Sequence, residues 1–163
     1  MARRVFFSFH FERDIWRVGQ IRNSWLLKPD RESAGFWDAA KWEEVKRKGD
    51  PAIATWIENS LNGTSVTVVL IGAETSKRKW VRHEIEKSIK RGNGILGIHI
   101  HNMKDKNGMI DIKGDTTFGE VGKNILGKSI YFWEKYPIYD WVSDSGRENL
   151  GKWVEEAARK AGK

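Results

Sequence analysis

The chain has 163 residues, the size of one ordinary domain, and its 39% apolar and 31% charged residues exclude a disordered polymer. It has no cysteine, which rules out a disulfide framework and a thiolate zinc site, and its net charge of +7 favours anionic partners, nucleic acids and dinucleotides alike. Nine tryptophans supply core filling and also flat faces suited to nucleobases, nicotinamide or protein partners.

In chain order, the first element is the apolar run Val5–Phe9, too short for a signal peptide and followed by no small-residue cleavage site. No stretch approaches the roughly 18 apolar residues of a membrane span, so the expected location is cytoplasmic and no membrane partner is expected. A helix follows from Glu12 to Trp25, with Ile15, Val18, Ile21 and Trp25 on one side. A weaker strand is expected near Gly35 to Asp38. Asp50-Pro51 reads as a helix start, with Asp50 as the cap, and Ile53, Trp56, Ile57 and Leu61 share a face until Asn62-Gly63 ends the helix. Ser65–Gly72 and Gly94–Ile100 are almost wholly apolar, as strands buried on both faces are. Between them a helix is expected from Lys77 to Lys90, with Val81, Ile85, Ser88 and Ile89 inward and Gly92 closing it. Residues 101–127 read as a long loop, Lys128 to Glu134 as another strand, and Glu148 to Ala161 as a final amphipathic helix. The alternation predicts an α/β fold: three-layer, doubly wound, with a mostly parallel central sheet of the flavodoxin-like or TIR-like kind.

Several motifs fail on context. Gly92, Gly94 and Gly97 match GxGxxG, but they follow a helix and lead into a strand, the reverse of a dinucleotide fingerprint. His99 and His101 alternate on one strand without further ligands at telling spacing, so they are expected to be structural and no metal site is expected.

The segment Thr75–Ser88 is the most informative. Helical spacing puts Trp80 and Glu84 on one face, about 100° from the Val81/Ile85 stripe. Glu84 therefore borders the core, where it is either a site carboxylate or a surface acid paired with Lys87 or Lys77. Ser8, Phe9 and His10 end the first strand, and Asp38 would end the second; open α/β sheets bind ligands at such carboxyl ends. Trp80 is either a wall for a flat ring or core. Arg82 is the candidate for a pyrophosphate, against the plainer reading of a solvated surface cation.

A strand ending in Gly72, a Ser/Thr-rich turn and Trp80-x-x-x-Glu84-Ile85 on a helix resemble the catalytic helix of Toll/interleukin-1 receptor (TIR) domains. The runs Arg4–His10 (RVFFSFH), Ala34–Ala39 (AGFWDA) with Trp42-Glu43, Leu61–Val66 (LNGTSV), Val69–Gly72 (VLIG), Trp80–Ile85 (WVRHEI) with Lys87–Ile89 (KSI), Gly97–Ile100 (GIHI) and Tyr139–Val142 (YDWV) resemble one branch, the TIR-like ThsB proteins of the bacterial Thoeris antiphage system. The resemblance implies a single TIR-like domain over 1–163. It implies cleavage of the nicotinamide–ribose bond of NAD, with Glu84 as the catalytic residue. NAD is then a substrate, and no cofactor is expected. It further implies a cyclic ADP-ribose-type product that activates a separate effector as a diffusible signal, with a phage protein trigger and a homo-oligomer as further partners. The pattern departs from ordinary TIR domains between Ser24 and Asp50. The other readings are a non-catalytic TIR-like or response-regulator-like interaction module, and a nucleic-acid binder, which no recognisable motif supports.

Overall fold

A computed structural model describes residues 3–35 and 39–163. Its centre is a five-stranded sheet built from β1 (Arg3–Ser8), β2 (Arg31–Ala34), β3 (Val66–Ile71), β4 (Gly94–His99) and, later in the chain, a strand at Ile138–Asp140. Two short strands, β5 (Glu120–Lys123) and β6 (Ser129–Tyr131), form a separate antiparallel hairpin, so the strand at Ile138–Asp140 is β7. The order β2-β1-β3-β4-β7 is parallel at every pairing, for example Val5↔Val66, Val66↔Gly94 and Gly97↔Ile138. This is the flavodoxin-like arrangement, in which the winding reverses between β1 and β3. Every residue of β3 and β4 is buried, which is why both read as unbroken apolar runs.

Alternation along the strands divides the core. Val5, Phe7, Val68, Leu70, Leu96 and Ile98 face α1 (Phe11–Leu26) and, at the end of the chain, a long helix at Gly146–Lys160. On the opposite face Phe6 packs with Trp42 and Val45 of α2 (Ala39–Arg47) and with Ile53, Ile57 and Leu61 of α3 (Asp50–Leu61). Val69, Ile71 and Ile95 pack on that face against Val81 and Ile85 of α4 (Lys79–Lys90) and Phe132 of α5 (Phe132–Lys135), which makes the Gly146–Lys160 helix α6. The doubly wound, mostly parallel expectation is thus met, in a sheet that is wholly parallel.

Some boundaries fall elsewhere. The second strand is Arg31–Ala34 rather than 35–38; residues 36–38, Asp38 among them, lie outside the described residues. Its sequence RESA is polar because it is an edge strand with only Ala34 buried. Gly49, not Asp50, holds the N-cap of α3, at φ 94°, a conformation glycine adopts without strain. Asp50 sits in the first turn, 2.7 Å from Lys79. α4 begins at Lys79, after a 3-10 turn at Thr75–Lys77. The strand expected over 128–134 stops at Tyr131, because Glu134 accepts the Tyr131 N–H and starts α5. The 101–127 segment is pinned to α1: Arg17 donates to the Met103 and Met109 carbonyls, and Arg13 forks onto Asp111.

Candidate active site

The carboxyl end of β1 lies where the winding of the sheet reverses, the place open α/β sheets bind ligands. Here Phe7, Phe9, His10, Phe11 and Glu12 from the β1–α1 junction meet Trp42 of α2 and Arg78, Trp80, Val81 and Glu84 from the start of α4, enclosing one pocket. Its free volume is about 30 Å³, space for little more than a water molecule. A ribose enters only if the mouth side chains move.

Glu84 is only 5% exposed, on the same face of α4 as buried Val81 and Ser88. Its helix is fixed from behind: Ser88 Oγ donates 2.7 Å to the Glu84 carbonyl and lies 2.6 Å from Thr67 Oγ1 of β3. The carboxyl receives a single side-chain hydrogen bond, from Ser8 Oγ at 2.8 Å. Burial drives its pKa from 4.5 up to about 8, while the Ser8 hydrogen bond pulls the other way. Such a buried carboxyl beside aromatic walls is the kind of group found at functional sites. The alternative of a surface ion pair with Lys87 or Lys77 does not arise, since Lys87 pairs with Glu58 at 3.0 Å.

Four of the candidate residues therefore converge: Phe9, His10, Trp80 and Glu84 line the pocket, and Ser8 braces Glu84 from beneath. His10 is 8% exposed, its Nδ1 has no hydrogen-bond partner, and burial followed by the nearby Arg78 charge lowers its pKa, so the imidazole is neutral. Trp80 is half-buried and makes an edge contact with His83 at 5.4 Å between ring centres. Arg82 is not among the pocket residues. Its guanidinium donates to the Ser76 and Thr117 carbonyls at 3.0 and 3.1 Å and braces the loop outside. Asp38 is outside the described residues.

Sequence reasoning missed Phe11, Glu12, Trp42 and Arg78. Glu12 accepts from Lys46 Nζ at 3.1 Å and Trp42 Nε1 at 3.3 Å, and these hydrogen bonds hold its pKa below the usual value. It is thus a charged carboxylate at the mouth, where Glu84 is a largely protonated one at neutral pH. The available signal was position: Phe11 and Glu12 directly follow a strand end, and Arg78 directly precedes a helix.

His99 and His101 are buried and meet edge to face at 5.7 Å. Among the described residues, no group of three or more His, Cys, Asp or Glu side chains is placed to hold a metal ion, and no helix is long and apolar enough to cross a membrane.

Two comparisons bear on this site. A family model described as the Thoeris protein ThsB, TIR-like domain, matches residues 6–105, the span from the end of β1 through β4 that carries every pocket residue. A Bacillus cereus (strain MSX-D12) protein named "Putative cyclic ADP-D-ribose synthase ThsB1" is 39% identical over 191 aligned positions, which cover 94% of this chain and 100% of the relative. With more than half of the chain matched by the model and a relative of this identity aligned along nearly all of it, the chain belongs to the TIR-like ThsB proteins of the Thoeris system.

Proposed function

We propose that this chain cleaves the nicotinamide–ribose bond of NAD at Glu84 and closes the remaining ADP-ribose into a cyclic nucleotide, a diffusible signal to a separate effector in antiphage defence. The observation that carries this reading is Glu84 itself, a buried carboxyl held by Ser8 and facing an aromatic-walled pocket at the carboxyl edge of β1. The relative's printed name, a cyclic ADP-D-ribose synthase, supports the product class.

The chemistry suits one acid. Most glycosidases need a second carboxyl to protonate the leaving oxygen. The nicotinamide of NAD is already a pyridinium cation and leaves as a neutral molecule with the bond electrons, so no proton donor is needed. Positive charge develops at ribose C1′, and a carboxylate beside it stabilises that charge. At about 4 Å and an effective dielectric near 20, the attraction is roughly 4 kcal/mol, on the order of a thousandfold in rate. A hydroxyl or an adenine ring nitrogen of the same molecule then attacks C1′, and the proton given up, from that hydroxyl or from the amino group conjugated to the ring nitrogen, goes to Glu84 or solvent. Phe7, Phe9, Phe11, Trp42 and Trp80 leave little room for competing water, which favours the internal nucleophile.

The test is incubation with NAD, with and without phage lysate, followed by chromatography of nicotinamide and nucleotide products for wild type and Glu84→Gln. The expected result is nicotinamide and a cyclic product from activated wild type and neither from the variant. If neither protein releases nicotinamide under any activating condition, the interaction-module reading takes its place.

A further inference from the structure

The mouth of the pocket over Glu84 carries, beside the Glu12 carboxylate, an arginine for which the reacting ribose gives no reason. Arg78 lines it, half-buried, and among the described residues its guanidinium makes no hydrogen bond or ion pair. Among the described residues, the acids Glu12 and Glu74 are already engaged, Glu12 by Lys46 and Trp42 and Glu74 by Arg13 at 3.6 Å. Arg78 is also the N-cap of α4, and no side chain caps that helix. The first intrahelical acceptance by Arg78 is from the Arg82 N–H, so the first-turn amides of Lys79, Trp80 and Val81 carry the positive end of a 12-residue helix. A second, independent observation points the same way. His10, more than nine-tenths buried in the wall of this pocket, has an Nδ1 without a partner.

A free guanidinium, a row of uncapped amides and an unused imidazole nitrogen converge on one opening. That donor set suits a phosphate-type anion. We propose that Arg78, with the first turn of α4 and His10, holds the diphosphate of the dinucleotide while Glu84 faces the ribose. Glu84 lies six positions beyond Arg78, about 9 Å along the helix axis, the scale of one sugar between the reacting carbon and the diphosphate. The assignment rests on the NAD reading and moves the anion contact from Arg82, which is occupied by the carbonyls of Ser76 and Thr117, to Arg78, which is free.

The experiment is titration calorimetry with ADP-ribose, which carries the diphosphate and lacks nicotinamide, on wild type, Arg78→Met, Arg78→Lys and Arg82→Met, each checked for an unchanged thermal melt. Arg78→Met is expected to weaken binding roughly 10- to 100-fold, the range for losing charge-assisted hydrogen bonds. Arg78→Lys keeps the charge without the fork and falls between. Arg82→Met binds as wild type does. Affinity unchanged in Arg78→Met, an equal loss in Arg82→Met, or no ADP-ribose binding by wild type overturns the assignment. Binding through Arg78 without NAD cleavage by activated protein leaves the anion site standing and removes the proposed function. Cleavage with a KM for NAD unaffected by Arg78→Met does the reverse.

Discussion

Replacing Glu84 by glutamine tests the electrostatics of the site without needing substrate. The carboxyl is buried, and its pKa moves from 4.5 to about 8 on folding. Between those values the unfolded chain has lost the proton and the folded chain keeps it. The native state therefore binds more protons, and stability falls as pH rises through this window. At about 1.4 kcal/mol per pH unit, the full cost approaches 5 kcal/mol by pH 9, a large share of the 5–15 kcal/mol typical of a domain. Glutamine has nearly the same shape, keeps an oxygen to accept the Ser8 hydroxyl, and cannot ionise. Its amide nitrogen adds an offset that does not vary with pH. The stability difference, variant minus wild type, is thus expected to climb from pH 5 to pH 9 in favour of the variant. Urea melts at each pH measure it; at about 2–3 kcal/mol/M the relative midpoint rises by roughly 2 M. Other titrating groups cancel in the difference. A difference that stays flat within about 1 kcal/mol, or one that falls, refutes a buried, proton-retaining Glu84.

Ser8→Ala removes the one hydrogen bond that opposes burial, so the acid limb of kcat/KM for NAD moves up by about one pH unit; a pH–rate profile with the limb unmoved or lowered contradicts this role. Gly72→Ala drives a Cβ into the Asp14 carboxyl and is expected to cost about 1–3 kcal/mol in denaturant melts. Because that clash is with one side chain, the Gly72→Ala/Asp14→Ala pair should be coupled, and strict additivity counts against it. Arg17→Met unties the Met103 and Met109 carbonyls, so hydrogen exchange should quicken across 103–111 and leave β3 and β4 protected; protection unchanged in that loop would show that Asp111 and Arg13 alone hold it.

What could be read from the sequence tracks how far each signal is local. β3 and β4 are buried on both faces, so their residues are uniformly apolar and unmistakable. β2 is a polar edge strand whose place is set by pairing with β1, as in Arg4↔Glu32, and nothing in RESA announces that. β7 has three half-buried residues and owes its position to Gly97, whose N–H donates to the Pro137 carbonyl and whose missing side chain makes room for Ile71 and Ile138. Glu84 was legible as a residue bordering the core, because helical geometry fixes its angle to Val81 and Ile85. That it is enclosed came only with Ser8, 76 positions earlier, and with Trp42 from another helix. The Arg78-for-Arg82 exchange shows the same limit. Both cations flank Trp80, and only the carbonyls of Ser76 and Thr117 decide which one is free.

If Glu84 acts as proposed, burial and catalysis make opposite demands on it, and the substrate's own charge reconciles them. A carboxyl with a pKa of about 8 is mostly protonated at neutral pH, and a protonated acid does nothing for an oxocarbenium-like ribose. At pH 7, one unit below that pKa, ionising it costs about 1.4 kcal/mol. A pyridinium held at contact distance returns about 4 kcal/mol of attraction, more than that cost. On the proposed chemistry, a cationic nicotinamide therefore ionises the group that acts on it. A reduced dihydronicotinamide, or any neutral nucleoside, leaves Glu84 protonated and inert. Selectivity for the oxidised dinucleotide then needs no contact that distinguishes the two rings by shape; it follows from placing a single acid where only a positive charge can draw off its proton.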